Sequence, residues 1–187
     1  NKIKMQYFDE KMGGARGYTP YKIETPKDGN HADLKEFWQM GRDLPLEHMY
    51  KKYMFDNYFA SEITEFEIKI KELFSSFDQF GQQLMQAIAL YLKLDIDHFE
   101  DSINYGNSVL RAIHYPPIAT EEPGERAGAH GDINLITLLI GGHKPGLEIL
   151  FENKWIPINT EHDTLVCNIG DMLAGMTLLK ETLLVIK

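Results

Sequence analysis

The chain has 187 residues, with 43% apolar and 25% charged side chains, the balance of a globular protein with a substantial core. Its formal net charge of −9 offers no positive footprint for a polyanion, which argues against a nucleic-acid partner. The single cysteine, Cys167, rules out an internal disulfide, and no apolar run reaches membrane-spanning length. A cytoplasmic location without membrane association is therefore expected. No signal peptide is evident, and because Asn1 stands where Met would be expected, the start of the native chain is expected to be missing.

Residues 1–60 read as irregular. Gly13, Gly14, Gly17 and Pro20 mark 11–21 as loop. Asp33 followed by Glu36 has the spacing of a capping box and predicts a short helix through Phe37 and Trp38. Tyr50, Tyr53, Phe55, Tyr58 and Phe59 could line a pocket, but packing against the core is the preferred reading. Residues 61–94 predict a long helix opened by Thr64 and Glu67. Its apolar stripe is Leu73, Phe77, Phe80, Leu84, Ile88 and Leu92. Gly81 within it costs on the order of 1 kcal/mol relative to Ala and can permit close packing.

A second short helix is predicted at 97–102, with a turn at 104–107. Strands follow at 109–115, 134–140, 147–151, 155–158 and 164–168. They are separated by Pro116-Pro117, a loop over 118–126, Gly141-Gly142, Pro145-Gly146 and Asn153. Cys167 falls in an apolar strand pattern and is expected to be a buried structural thiol. Helices first and close-spaced strands after predict an α+β protein whose core is mainly an antiparallel sandwich or barrel. One domain over 1–187 is expected, with 1–107 as a helical and irregular flank and 108–187 as the β core.

The chemistry concentrates at 126–132, Arg-Ala-Gly-Ala-His-Gly-Asp, which runs into the apolar strand. In extended chain His130 and Asp132 project to the same side. An imidazole and a carboxylate are two thirds of the two-His-one-carboxylate face that holds non-haem Fe(II) with open positions. A solvated surface pair is the alternative for so short a motif. Ala127, Gly128, Ala129 and Gly131 leave room for something to approach the backbone.

Around this pair stand further blocks in order. They are 107–117 (NSVLRAIHYPP), 146–150 (GLEIL), 155–158 (WIPI) and 166–173 (VCNIGDML), with Gly17-Tyr18 and 33–36 (DLKE) near the start. From about Gly13 to Leu173 this series resembles the iron(II)- and 2-oxoglutarate-dependent dioxygenases of the isopenicillin N synthase-like branch. The resemblance implies a double-stranded β-helix (jelly roll) flanked by helices, with the helix near 62–94 backing it. It implies Fe(II) and 2-oxoglutarate as cofactors, and molecular oxygen and a small-molecule substrate as partners. His130 and Asp132 match the metal ligands, and Tyr115 matches a position whose hydroxyl reaches a carboxylate of co-substrate or substrate. Arg111, four residues before Tyr115 and on the same strand face, is read as an anion site or a structural ion pair. Oxidative decarboxylation of 2-oxoglutarate to succinate would drive hydroxylation, desaturation or cyclisation of the substrate.

The sequence departs from the family after Leu173. The family's third ligand, a second histidine, and its Arg-x-Ser pair for 2-oxoglutarate find no counterpart; Leu183 and Leu184 stand where His and Arg would follow. His143 and His162 read as solvated turn residues, and His114 alternates with Tyr115 so that at most one of them faces a pocket. Either the chain is incomplete at both ends, or it is a two-ligand variant. The alternatives to a 2-oxoglutarate oxygenase are an isopenicillin N synthase-type oxidase and a non-catalytic binding homologue.

Overall fold

In the computed structural model the described residues are 2–26, 30–118, 123–142, 145–161, 163–177 and 185–186. They fall into two compact units, Asn1–Ile23 with Leu34–Ala119, and Glu24–Asp33 with Thr120–Lys187.

In the first unit, strands β1 (Gly17–Thr19), β2 (Glu36–Gly41) and β3 (Val109–His114) form an antiparallel sheet in that order. The helix expected from the Asp33–Glu36 spacing is instead the central strand. Phe37 and Trp38 favour the pleated surface, and ladders on both sides outweigh a single local cap. Phe37 and Met40 are buried on it, and Gln39 lies opposite Arg111. Gly17 has φ +73°, and a Cβ there would come within 2.5 Å of the Tyr7 carbonyl and 2.9 Å of the Tyr58 ring, so glycine is required at this start of β1.

Helix α1 spans Phe66–Tyr91, within the predicted 61–94. Its start differs from the expected capping box: Glu65 is left-handed (φ 61°) without a side-chain cap, and Glu67 pairs with Lys71 at 2.6 Å. Its buried residues are Ile70, Met85 and Ala89, while Leu73 and Phe80 of the expected stripe are 44% and 42% exposed. The packed face is therefore turned from the one that side-chain size alone selects, and small Ala89 is fully buried on it. Arg42, just past β2, donates to both Asp78 carboxylate oxygens on α1 and to the Gly106 carbonyl. This bidentate pair ties sheet to helix. The second short helix, α2, is Glu100–Ile103. The aromatic stretch splits: Tyr58 and Phe59 are half-buried, whereas Tyr50, Tyr53 and Phe55 are exposed, contrary to the packing expected of them.

In the second unit, β4 (His130–Gly131), β6 (Glu148–Phe151), β7 (Lys154–Pro157) and β9 (Val185–Ile186) form one sheet in the order β4-β9-β6-β7. Strands β5 (Ile136–Ile140) and β8 (Leu165–Ile169) form another antiparallel pair. The β6–β7 connection is a two-residue hairpin with Glu152 and Asn153 at φ 47° and 60°, the left-handed pair that matches strand twist. Helix α3 (Asp171–Thr177) follows β8. Cys167 is exposed, not buried as expected, because alternation along β8 turns Asn168 inward, 4% exposed, and Cys167 outward. Among the described residues no helix is long and apolar enough to cross a membrane.

Candidate metal centre

Strand β4 delivers His130, and Asp132 follows it directly. His130 Nε2 lies 3.9 Å from Asp132 Oδ1. On the other side of the ring, His130 Nδ1 is 2.8 Å from the Gly128 carbonyl oxygen. A carbonyl only accepts, so Nδ1 carries a proton, and in the neutral ring the Nε2 lone pair is directed away from it. Among the described residues, Asp132 Oδ2 is buried with no hydrogen-bond partner. A carboxylate oxygen in that condition costs about 1–3 kcal/mol, and a cation beside Nε2 would recover it. The donor set, one neutral imidazole nitrogen and one carboxylate, suits a divalent first-row metal such as Fe(II).

Both side chains sit on a braced backbone. The Gly128 N–H donates to Asp33 Oδ1 at 2.8 Å, and the Asp33 N–H donates to the Glu24 carbonyl at 2.8 Å. A Cβ on Gly128 would lie 2.3 Å from Pro26 Cγ. Gly128 is thus small in order to pack against Pro26, while the Gly131 position is open, its nearest neighbour being Asp171 Oδ2 at 4.0 Å. Beyond the pair, the start of α3 closes onto the chain. The Asp171 N–H donates to the Asp132 carbonyl at 2.8 Å, Gly170 to Leu135 at 2.9 Å and Met172 to Asn134 at 3.2 Å. These contacts satisfy the donors that a helix start leaves open and fix the backbone on which Asp132 sits.

The remaining residues singled out by sequence lie elsewhere or outside the described set. Arg111 donates from Nε to Gln39 Oε1 at 2.9 Å, and its guanidinium stacks 4.2 Å from the Phe37 ring centroid. Tyr115 follows β3 and is 40% exposed. His114 Nδ1 is 2.8 Å from Glu36 Oε1. Glu36 also receives Lys4 Nζ at 2.6 Å and the Tyr18 hydroxyl at 2.5 Å. Burial works against ionisation of Glu36, but these three partners outweigh it and hold its carboxyl at about 2. Burial, with Glu36 beside it, pushes the Tyr18 phenol up. His143, His162, Leu183 and Leu184 lie outside the described residues. Among the described residues no group of three His, Cys, Asp or Glu side chains gathers around one point. The residue missed by sequence reasoning is Asp33. Its spacing to Glu36 signalled a helix cap, and nothing local indicates a partner 95 residues away.

The described residues combine antiparallel sheets with helices, and comparison with known proteins finds likeness to 2OG-Fe(II) oxygenases. Residues 106–182 match the family model of the 2OG-Fe(II) oxygenase superfamily. The crystal structure of a Caulobacter crescentus protein assigned to the 2OG-Fe(II) oxygenase family superposes with a TM-score of 0.87 at 48% identity, over 100% of this chain and 60% of that one. A full-length Neurospora crassa protein crystallised in complex with alpha-KG superposes with a TM-score of 0.81 at 25% identity, over 100% and 59%. The 2'-deoxymugineic-acid 2'-dioxygenase of Hordeum vulgare is 30% identical over 108 residues, 58% of this chain and 32% of that enzyme. The chain is thus similar to members of the 2OG-Fe(II) oxygenase superfamily over these stretches, and it spans between a third and three fifths of the length of these relatives.

Proposed function

We propose that the chain is the iron-binding part of a non-haem Fe(II), 2-oxoglutarate-dependent oxygenase that oxidises a small molecule by hydroxylation, desaturation or cyclisation. The observation that carries this reading is Asp132 Oδ2, buried without a hydrogen-bond partner among the described residues and beside an imidazole whose Nδ1 donates to a carbonyl and whose Nε2 faces the carboxylate. His130 Nε2 and Asp132 would hold the iron. Bound there, Fe(II) supplies activation of molecular oxygen, coupled to conversion of 2-oxoglutarate to succinate and carbon dioxide. The protein's share is positional. Gly128 orients the imidazole, the α3 start holds the backbone of Asp132, and partial burial of the carboxylate limits competition by water. Tyr115, on the family resemblance, and Arg111, from its place on the same strand face, are the residues assigned to carboxylate binding. The reading also takes 1–187 as belonging to one oxygenase domain with a jelly-roll core, and its location as cytoplasmic.

Two measurements on the same protein test it. Anaerobic calorimetry with Fe(II), or Co(II) as an oxygen-stable substitute, should show binding that His130→Ala and Asp132→Ala abolish. Succinate release from 2-oxoglutarate in air should require added Fe(II). Binding that survives both substitutions would refute the assignment of the ligands, and iron binding without succinate release would point to a binding homologue or to an oxidase that needs no co-substrate.

A further inference from the structure

We propose that Asp33 is a positioning residue for His130: through the backbone of Gly128 it sets which imidazole nitrogen is offered to a divalent cation. The inference rests on the reading of His130 as a metal ligand. To ligate through Nε2 the ring must keep its proton on Nδ1, and the group that holds it there is the Gly128 carbonyl at 2.8 Å. That carbonyl belongs to a glycine, the residue whose backbone is least restrained by itself. Its restraint comes from outside. Asp33 Oδ1 takes the Gly128 N–H at 2.8 Å, and Pro26 occupies the space where a side chain would stand.

Asp33 is only 5% exposed, so its hydrogen bond from the amide forms away from competing water and is charge-assisted. Its own place is held by the N–H bond to Glu24. The sequence role as a helix cap is not in play, since residues 36–41 form a strand. What remains is a line from a buried carboxylate, through one peptide group on each side of Gly128, to the far nitrogen of the proposed ligand. Segment 24–33 thereby acts as a brace laid behind β4.

The test is imidazole nitrogen NMR on the metal-free 187-residue chain, which reads the tautomer directly and needs no turnover. In the wild type, His130 should show a single Nδ1–H tautomer, and the Gly128 amide should be protected from hydrogen exchange. Asp33→Ala should release His130 into a mixture of tautomers and raise the Co(II) dissociation constant about tenfold or more. Asp33→Asn, which keeps an acceptor oxygen, should retain the wild-type tautomer. A folded Asp33→Ala variant with His130 still locked overturns the proposal. If that variant does not fold, rapid exchange of the wild-type Gly128 amide overturns it equally, and protection with an unchanged Asn variant supports it. A locked tautomer in a wild type that binds no Co(II) would sink the metal assignment alone and leave the Asp33–His130 coupling standing.

Discussion

On the proposed reading, Asp132 serves a metal at the expense of the fold. Its Oδ2 is buried and lacks a partner among the described residues, while its backbone carbonyl accepts from the Asp171 N–H and is satisfied. Removing the side chain therefore removes an unpaired buried oxygen without loosening the chain. Asp132→Ala should raise the stability of the metal-free protein by about 1 kcal/mol, read from urea unfolding, while abolishing Co(II) binding. A loss of stability on that substitution would mean that the oxygen has a structural partner. At the same scale the sequence was a good guide to which side chains stand together and a poor one to what supports them. His130 and Asp132 were legible from alternation in extended chain, whereas the bond between Asp33 and Gly128 joins residues whose proximity no local pattern encodes.

Among the elements, the contact between α3 and the start of β5 is especially tight. A Cβ on Gly170 would lie 2.1 Å from the Asn134 carbonyl oxygen, a backbone atom that cannot move without disturbing β5. Gly170→Ala should cost about 2–3 kcal/mol in thermal or chemical unfolding and weaken metal binding, because α3 carries the donors that fix Asp132. In the first sheet, Glu36 gathers Lys4, Tyr18 and His114. Its folded carboxyl titrates at about 2 against an ordinary value of 4.5, so the stabilisation it provides is present in full above about pH 4.5 and is lost as pH falls toward 2. Glu36→Gln should lower stability at pH 7 by about 2 kcal/mol and flatten the decline between pH 4.5 and 2. An unchanged acid limb in the variant would show that other carboxylates govern it. Strands β5 to β8 were legible because apolar runs broken by Gly, Pro and Asn leave few other choices. Strand β2 was not, since a capping-box spacing and a strand share the residues Asp33 to Trp38 until the neighbouring strands are present.

For the molecule as a whole, the proposed metal site would link binding to folding. A cation that binds the folded state alone stabilises it by RT ln(1 + [L]/Kd), about 2.7 kcal/mol at a hundredfold excess over Kd. Co(II) at that excess should raise the unfolding midpoint by several degrees in the wild type and leave Asp132→Ala unmoved, as followed by circular dichroism. A shift of equal size in both proteins would mean that the ion acts away from β4. The second unit also keeps large apolar groups in solvent, with Ile140 60%, Phe151 45% and Trp155 39% exposed on β5, β6 and β7. Strand periodicity marks such residues as core-facing, but it does not count the surfaces available to cover them.

Local sequence determined where most strands and the long helix fall, and which two side chains stand together at the end of a loop. The reason is that turn chemistry and side-chain alternation act over a few residues, the same range over which a sequence can be read. Tertiary structure decided that Glu36 to Gly41 is a strand, that α1 packs on Ile70, Met85 and Ala89, and that Cys167 faces outward. It also decided that a carboxylate 95 residues upstream of Gly128 takes its amide. Each of these depends on a partner distant in the chain, and the energy of such a pairing is set by the packed surface that both residues meet only after folding.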